Sequence, residues 1–210
     1  MYAPPSFRIS ERSALEGLIA KLRFATLVVN GAEGPVAAHL PLVLDGDQLI
    51  GHLARANPLA RLLAPGMPGL AVFVGPSAYV SPSWYASKRE HGKVVPTWNY
   101  VAVQARGVIE PVTEPGALHA IVTQLTDVQE AGREHPWAVD DAPADFLAGM
   151  MKAIIGFRLT LATLEGTAKL SQNRPAADHA GVRAGMEAEP APAAQALAAL
   201  MARQSSARSD

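Results

Sequence analysis

The sequence predicts a mainly β fold with peripheral helices, in the form of an antiparallel barrel. About six segments have the length and apolar pattern of strands, and they form two groups along the chain. Strands that are neighbours in sequence are joined by short turns, which is typical of antiparallel sheets. The chain lacks the strict alternation of strand and helix that a doubly wound parallel sheet requires.

The first elements follow from periodicity and capping residues. Leucine and isoleucine recur at helical spacing between Glu11 and Leu22, after a capping serine, so we expect a helix there. The short β-branched segment Thr26–Val29 predicts a strand, and residues 30–34 predict a turn.

An Asp-Gly dipeptide at positions 45–46 predicts a hairpin between the alternating segments 36–44 and 48–54. A two-residue loop at this dipeptide would place His39 opposite His52, with the leucines together on the other face. A slip by one residue would mix the two faces, so we expect the first register.

The remaining elements extend this pattern. Asn57 and Pro58, a favoured cap and a favoured first helical residue, predict a short helix to about Ala64. Residues 75–90, rich in serine, proline and aromatic residues, predict a long loop. Periodicity predicts strands at 70–74, 97–109 and 153–164, and helices after Thr113, at 146–153 and at 176–188.

All predicted strands share one core, so we expect one domain over residues 1–186. An Ala- and Pro-rich tail follows over residues 187–210, with a weak amphipathic helical pattern at Leu197, Leu200 and Met201. Two interpretations of the tail stay open, a mobile appendage and an arm on a partner.

The composition excludes several classes of function. The formal net charge is −1, from 18 basic and 19 acidic residues, which gives no general attraction to nucleic acid. Cysteine is absent, which excludes a disulfide scaffold, an iron–sulfur cluster and a cysteine nucleophile. The N-terminus has no basic start followed by an apolar run, and no stretch approaches ~18 uninterrupted apolar residues. We therefore expect a cytoplasmic protein without a membrane span.

The first candidate site is the segment 52–58, which runs from a predicted strand into a predicted helix N-terminus. Free backbone N–H groups and the helix dipole favour an anion at such a place. Arg55 adds a bidentate donor, and His52 and Asn57 add further polar groups, so the segment suits a phosphate monoester. The alternative is an ordinary capped helix beside a solvated arginine.

The second candidate site is a concentration of aromatic residues. Two of the three tryptophans and three of the four tyrosines lie within residues 79–100, with serine, threonine and asparagine between them. Their planar faces could form a slot for a flat polar heterocycle. The alternative is an aromatic minicore beneath a long loop.

The third candidate site is the run of hydrogen-bonding side chains from Lys169 to Arg174, after a predicted strand end. An amide-rich cluster could bind the carbonyl and N–H edge of a flavin-like ring. The alternative is an ordinary solvated turn.

Metal and catalytic motifs are absent from the sequence. His39 and His52 lack an evident third ligand, and no HxxxH or HxH spacing occurs, so we expect no metal site. The GxGxxG, P-loop and GxSxG motifs are also missing. No residue is evident as a general acid or base, and no catalytic residue is assigned.

Six motifs in order resemble those of the PaiB family of FMN-binding negative transcriptional regulators. They lie at residues 1–7, 39–41, 51–58, 78–85, 95–100 and 169–174. The resemblance covers residues 1 to about 186 and leaves the tail uncovered.

This resemblance implies a split β-barrel that binds FMN, usually as a homodimer with the flavin at the subunit interface. It implies that the FMN phosphate lies near His52, Arg55 and Asn57. The residues implied for the isoalloxazine are Tyr79, Ser81, Thr97, Trp98 and Asn99. The residues implied to close the site, from the same or the other subunit, are Lys169, Gln172 and Asn173.

The resemblance also implies a flavoprotein that represses genes, through DNA or through another protein. The near-neutral charge and the missing recognition helix argue against direct DNA binding. One alternative is a small FMN-dependent oxidoreductase, in which the flavin would carry the redox chemistry. A weaker alternative is a haem-binding or haem-degrading split barrel.

Overall fold

The structure, a computed structural model, describes residues 1–206. Its strands are β1 (Arg8–Ile9), β2 (Phe24–Gly31), β3 (Gly34–Pro41), β4 (Val43–Asp45), β5 (Gln48–Ala54), β6 (Met67–Val80), β7 (Thr97–Val112) and β8 (Ile154–Lys169). Its α-helices are α1 (Arg12–Leu22), α2 (Ser87–Glu90), α3 (Pro115–Glu130), α4 (Ala144–Lys152), α5 (Ala176–Ala188) and α6 (Pro192–Ser206).

The strands form one eight-stranded sheet in the order β3-β2-β6-β7-β8-β5-β4, and β1 pairs with β8. β2 pairs antiparallel with β3 and β6, and β5 pairs antiparallel with β4 and β8. The predicted class, mainly β with helices around an antiparallel sheet, is therefore confirmed. No helix in the described part of the chain is long and apolar enough to cross a bilayer.

The chain divides into two compact units. The first unit comprises residues 1–11, 74–102 and the chain from Glu165 onward, and the second comprises residues 12–73 and 103–164. Each unit contains buried apolar side chains of its own.

In the second unit, α3 packs on the hairpin of β4 and β5. Leu118, Ile121 and Leu125 recur at helical spacing on α3 and are buried. Ile121 and Leu125 share a core cluster with Val43 of β4 and Ile50 of β5. Burial of each such side chain contributes roughly 1.5–3 kcal/mol, so this cluster holds the helix on the hairpin.

The hairpin register differs from the predicted one. β4 and β5 pair Asp45 with Gln48, so the turn consists of residues 46–47 rather than 45–46. Gly46 has a φ of 59° and occupies the first central position of the turn. A type II′ turn takes glycine at that position, whereas the Asp-Gly pattern assumes a type I′ turn with glycine second.

The predicted pairing of His39 with His52 is wrong. His39 lies on β3 opposite Thr26 of β2, and the Thr26 hydroxyl oxygen is 3.0 Å from His39 Nδ1. His52 lies on β5 opposite Gly156 of β8. The long strand that the sequence predicts is interrupted at Leu42, and its first part pairs with β2 instead.

β6 is longer than the sequence predicts. It runs over Met67–Val80, so the loop predicted at 75–90 begins only at Ser81. Its pairing with β2 covers Gly69–Val72, so Pro76, which has no backbone N–H to donate, lies outside the ladder with β2. The predicted helices correspond to α1, α3, α4 and α5.

In the first unit, α5 and α6 pack against each other. The amphipathic pattern of the tail forms α6, which buries Ala194, Leu197, Ala198 and Met201 at helical spacing. On α5, Gly181 and Gly185 lie so close to Trp84 that a Cβ at either position would overlap it. The two glycines therefore let Trp84 pack directly on the helix backbone.

Candidate functional site

The residues implied by the resemblance fall into two groups, one in each unit. His52, Arg55 and Asn57 belong to the second unit. The other eight residues belong to the first unit: Tyr79, Ser81, Thr97, Trp98, Asn99, Lys169, Gln172 and Asn173.

The central feature of the first unit is an exposed aromatic pair, Tyr79 on β6 and Trp98 on β7. Their ring centroids are 6.3 Å apart and their planes make an angle of 74°, an edge-to-face arrangement. Tyr79 is 48% exposed and Trp98 is 55% exposed. The nearby Tyr85, in contrast, is buried. The aromatic segment thus contains both a surface pair, which a planar ligand could contact, and a buried residue.

The side chain of Lys169 holds the end of β8 against the start of β7. Its Nζ donates a hydrogen bond to the backbone carbonyl of Trp98 at 2.8 Å and another to the hydroxyl of Thr97. Burial lowers the pKa of Lys169, and the positive charge of Arg174 lowers it further. The structure therefore brings Thr97, Trp98 and Lys169 together beside Tyr79.

Asn99 lies on the opposite face of β7 from Trp98, because side chains alternate along a strand. It is completely buried. Its Nδ2 donates to Ser171 Oγ at 3.0 Å, and the Ser171 hydroxyl donates to Asn99 Oδ1 at 3.2 Å. The structure thus gives Asn99 a partner inside the protein, behind the exposed aromatic pair.

The turn after β8 is braced by its own side chains. Gln172 Oε1 accepts from the backbone N–H of Leu170 at 2.6 Å, and its Nε2 donates to the carbonyl of Ala168 at 2.5 Å. Ser171 has a positive φ of 60°, in the left-handed region. Asn173 is exposed at the end of this turn. Both functional groups of the Gln172 amide therefore make local hydrogen bonds.

Ser81 has a similar local role at the end of β6. Its hydroxyl accepts from the backbone N–H of Ser83 at 3.2 Å and caps the 3₁₀-helix Pro82–Trp84. The capping geometry fixes the exit of the chain from β6, two residues beyond Tyr79.

In the second unit, one ring nitrogen of His52 is buried without a hydrogen-bond partner among the described residues. This nitrogen is Nδ1. Burial also lowers the pKa of His52, which favours the neutral form of the imidazole. A buried polar atom without a partner is uncommon in proteins, and a bound ligand is one way to satisfy it.

Arg55 lies at the C-terminal end of α4. Its backbone N–H donates to the carbonyl of Ala153 at 2.8 Å, and its Nε donates to the carbonyl of Lys152 at 3.1 Å. The side chain is exposed. The first bond ties the main chain at Arg55 to the end of α4, and the second orients a guanidinium group that faces solvent.

The helix predicted after Asn57 is a five-residue 3₁₀-helix, Pro58–Leu62. Asn57 caps it, since Oδ1 accepts from the backbone N–H of Leu59 at 2.9 Å. A 3₁₀-helix of this length has little dipole, so attraction of a phosphate here depends on Arg55 rather than on the helix terminus. The sequence-based prediction gave too large a role to the helix dipole, because the Asn-Pro pair marks where a helix starts and does not indicate its length or type.

A cavity of about 450 Å³ adjoins Arg55 in the second unit. Its basic lining residues are Arg55, Lys152 and His119, and its apolar lining includes Leu118 and Met151. Lys152 and His119 were missed by the sequence analysis. The only available signal for Lys152 was its place at the end of a predicted helix. The combination of basic groups and apolar walls suits an organic anion with an apolar part.

No group of histidines and carboxylates in the described residues could hold a metal ion.

Comparison with known proteins gives a sequence family and a set of similar folds. The family described as "Putative FMN-binding domain" matches residues 1–163. The chain is 33% identical over 205 residues to the "Protease synthase and sporulation protein PAI 2" of Bacillus subtilis, and the match covers 96% of each chain.

Two solved structures are similar in fold. A FAD and heme binding protein from Mycobacterium smegmatis has a TM-score of 0.59 and 20% identity, covering 77% of this chain and 73% of that one. A flavocytochrome from Azotobacter vinelandii has a TM-score of 0.58 and 13% identity, covering 77% and 69%. At these identities the similarity concerns the fold alone, and it agrees with the split-barrel class.

Proposed function

The chain belongs to the PaiB family of FMN-binding proteins, and we propose on this basis that it binds FMN as its resident cofactor. The observation that carries the proposal is the family match over residues 1–163, which includes both Arg55 and the exposed pair of Tyr79 and Trp98. When bound, FMN would supply hydride or electron chemistry.

We propose that the isoalloxazine contacts the exposed aromatic pair of the first unit. Tyr79 and Trp98 are about half exposed, so their rings can bury apolar area against the face of a planar ligand. Thr97 and Ser81 lie near this pair in sequence, and Lys169 donates to the carbonyl of Trp98. The cation would favour a negative charge that develops on a bound ring.

The proposed role of Asn99 and Gln172 is to shape this surface. Asn99 and Gln172 make hydrogen bonds within the protein, as described above. Contact with FMN would then come from their neighbours rather than from their own amides. Asn173, exposed on the same turn, remains a proposed direct contact.

We propose that the phosphate binds at Arg55 in the second unit. The exposed guanidinium donates through Nε to the carbonyl of Lys152, and the Lys152 side chain adds a second positive charge in the same cavity. The proposed contribution of His52 is its Nδ1, which has no hydrogen-bond partner in the described part of the chain. Asn57 caps the following 3₁₀-helix, so its proposed role is to fix the loop that carries Arg55.

A homodimer is proposed as the functional assembly. The support is the family resemblance together with the exposed pair of Tyr79 and Trp98, whose apolar area a second subunit could cover. Light scattering coupled to size-exclusion chromatography would give the mass. A dimer of the 22.1 kDa chain is expected, and a monomer at micromolar concentration would contradict the proposal.

A regulatory role is proposed for this flavoprotein, through contact with another protein rather than directly with DNA. The formal net charge of −1 supports this choice, because phosphate neutralisation dominates affinity for DNA. A gel shift at low salt tests it. Retardation of DNA that weakens steeply as salt rises would contradict the protein-mediated route.

The alternative function is a small FMN-dependent oxidoreductase. The partly exposed aromatic pair favours it, since a second substrate could reach a ring bound there. Anaerobic mixing of the flavin-loaded protein with NADPH or NADH separates the two functions. Bleaching of the flavin absorbance within seconds would support the oxidoreductase, whereas stable absorbance supports the regulator.

The proposed cofactor is tested by the visible absorbance spectrum of the purified protein and by chromatography of the released flavin. We expect a flavin spectrum and release of FMN. Release of FAD alone, or a haem absorbance band without flavin, would contradict the proposal.

A further inference from the structure

A second cavity lies in the first unit, at one face of α5. Its volume is about 390 Å³, which is in the range of small-molecule sites, roughly 300–1,000 Å³. Its polar lining side chains are Gln172, Arg174, His179, Arg183 and Gln204, and two alanines of α5 complete it.

Helical periodicity explains why these residues meet. His179 and Arg183 are four residues apart and therefore project from the same face of α5. A different face of α5, about 100° round the helix, carries Asp178, Val182 and Met186, which are buried. The cavity thus lies on the side of the helix that is not used for core packing.

The lining of this cavity is cationic. Among the described residues it contains two arginines and no carboxylate. Arg174 lies over the ring of Tyr85, with 4.8 Å between the guanidinium carbon and the ring centroid, and this contact leaves the charge intact. Within residues 1–206, the ion pair of Arg183 is a long contact with Glu187, 3.7 Å between Nε and Oε1 on an exposed helix surface. Such an exposed pair contributes little, so it leaves Arg183 able to bind an anion.

The buried carboxylate of Asp178, near Arg174, accepts hydrogen bonds from Ser87. The backbone N–H of Ser87 donates at 2.9 Å and its hydroxyl at 2.7 Å. Burial alone would raise the pKa of Asp178, but these hydrogen bonds and the charge of Arg174 lower it. Arg174 also contributes to the lowered pKa of Lys169, after burial. Positive charge therefore predominates around the cavity.

Gln204 of α6 offers the cavity a hydrogen-bond acceptor that a ligand hydroxyl could satisfy. Its Oε1 is buried and has no hydrogen-bond partner within residues 1–206. An amide oxygen accepts hydrogen bonds, and a hydroxyl is a donor that an otherwise anionic ligand can offer. An unsatisfied buried acceptor costs free energy that such a ligand would recover.

We propose that this cavity binds a phosphate monoester that carries hydroxyl groups, with Arg174 and Arg183 on the phosphate and Gln204 on a hydroxyl. Guanidinium groups bind phosphate oxygens in bidentate fashion, which makes the arginine pair specific for this group. The same chemistry occurs in a free sugar phosphate and in the ribityl phosphate of FMN. The two sources can be told apart by competition.

The test is isothermal titration of ribose 5-phosphate into the full-length protein, before and after saturation with FMN. Arg183→Gln is the test variant. Arg89→Gln is its matched control, since Arg89 is also an exposed arginine of the first unit and does not line the cavity. We expect Arg183→Gln to weaken binding at least tenfold, Arg89→Gln to change it less than twofold, and ribose to bind undetectably.

The FMN-saturated arm identifies the occupant. Unchanged binding of ribose 5-phosphate supports the site and assigns it to a free sugar phosphate. Loss of that binding, together with weaker FMN affinity in Arg183→Gln, supports the site, assigns it to the ribityl phosphate and overturns the phosphate position proposed at Arg55. Equal binding by the two variants, or equal binding of ribose and ribose 5-phosphate, would overturn the inference. Flavin binding at Trp98 is measured separately, so failure of this site leaves the proposed function standing.

Discussion

Asn99 and Ser171 hold each other inside the first unit: Asn99 Nδ2 donates to Ser171 Oγ at 3.0 Å, and the hydroxyl donates back to Oδ1 at 3.2 Å. Both residues are buried. Trp98 and Lys169, two residues proposed to contact the flavin, lie one and two positions away in sequence. This reciprocal pair therefore fixes the backbone beneath the proposed ring site.

Asn99→Ala is expected to destabilise the protein by about 1–3 kcal/mol, because it leaves the buried Ser171 hydroxyl without its partner. Urea unfolding followed by circular dichroism measures the change. Asn173→Ala is the control, since Asn173 is exposed and a substitution there is expected to stay within about 0.5 kcal/mol. Equal stability of the two variants would show that the buried pair contributes nothing.

Gly185→Ala and Gly149→Ala are expected to change stability in opposite directions. A Cβ at position 185 would overlap the indole of Trp84, which predicts a loss of about 1–3 kcal/mol. Apart from the chain neighbours and the backbone of α4 itself, no atom of residues 1–206 lies within 4 Å of a Cβ at position 149, so alanine there is expected to stabilise by about 0.5–1 kcal/mol. Thermal unfolding of both variants checks the signs. Stabilisation by Gly185→Ala would contradict the close packing of Trp84 on α5.

His52 is expected to make stability fall in mild acid. Burial lowers its pKa in the folded state, so the unfolded chain binds the proton more tightly below about pH 6.5. The free energy of unfolding should therefore decrease as pH falls from about 7 to 5, and His52→Leu should reduce that decrease. His135→Leu is the control, because His135 is 92% exposed. Parallel pH profiles for the wild type and His52→Leu would contradict the buried neutral imidazole.

Arg55→Ala is expected to weaken FMN binding by about 1.5–3 kcal/mol, or roughly 10- to 150-fold, if a charge-assisted phosphate contact is lost. Quenching of flavin fluorescence on titration measures the dissociation constant. Arg61→Ala is the matched control, since Arg61 is an exposed arginine six positions later that does not line the Arg55 cavity. Similar FMN affinity in the two variants would contradict the proposed position of the phosphate at Arg55.

Sequence patterns predicted correctly those features that depend on a few neighbouring residues, such as helix caps and helix ends. Asn57 caps the following turn as its Asn-Pro signal indicates, and α5 begins and ends at the predicted residues Ala176 and Ala188. The hairpin shows the limit of such rules. Gly46 fits either the first or the second central position of a two-residue turn, and the preference between the two registers depends on which strands pair with β3 and β5.

Contacts between residues distant in sequence were beyond these rules. The bond from Lys169 to the carbonyl of Trp98 joins positions 71 residues apart, and it depends on the register of two long strands. Motif resemblance grouped these residues without giving the contact. The cavity beside α5 had one local signal, the helical spacing of His179 and Arg183, but Gln204 comes from another helix. Tertiary packing alone brings these side chains together.

The central claim, that a flavin binds against the exposed aromatic pair of Tyr79 and Trp98, is tested most directly by the FMN dissociation constant of Trp98→Ala. Trp137→Ala is the matched control, because Trp137 is 48% exposed, close to the 55% of Trp98, and belongs to the second unit. Stacking of a heterocycle on an aromatic side chain is worth about 1–3 kcal/mol, so Trp98→Ala should weaken FMN binding roughly 5- to 150-fold. Trp137→Ala should leave it within about twofold of wild type, as expected for a surface substitution that touches no ligand. Equal dissociation constants for the two variants would contradict the account.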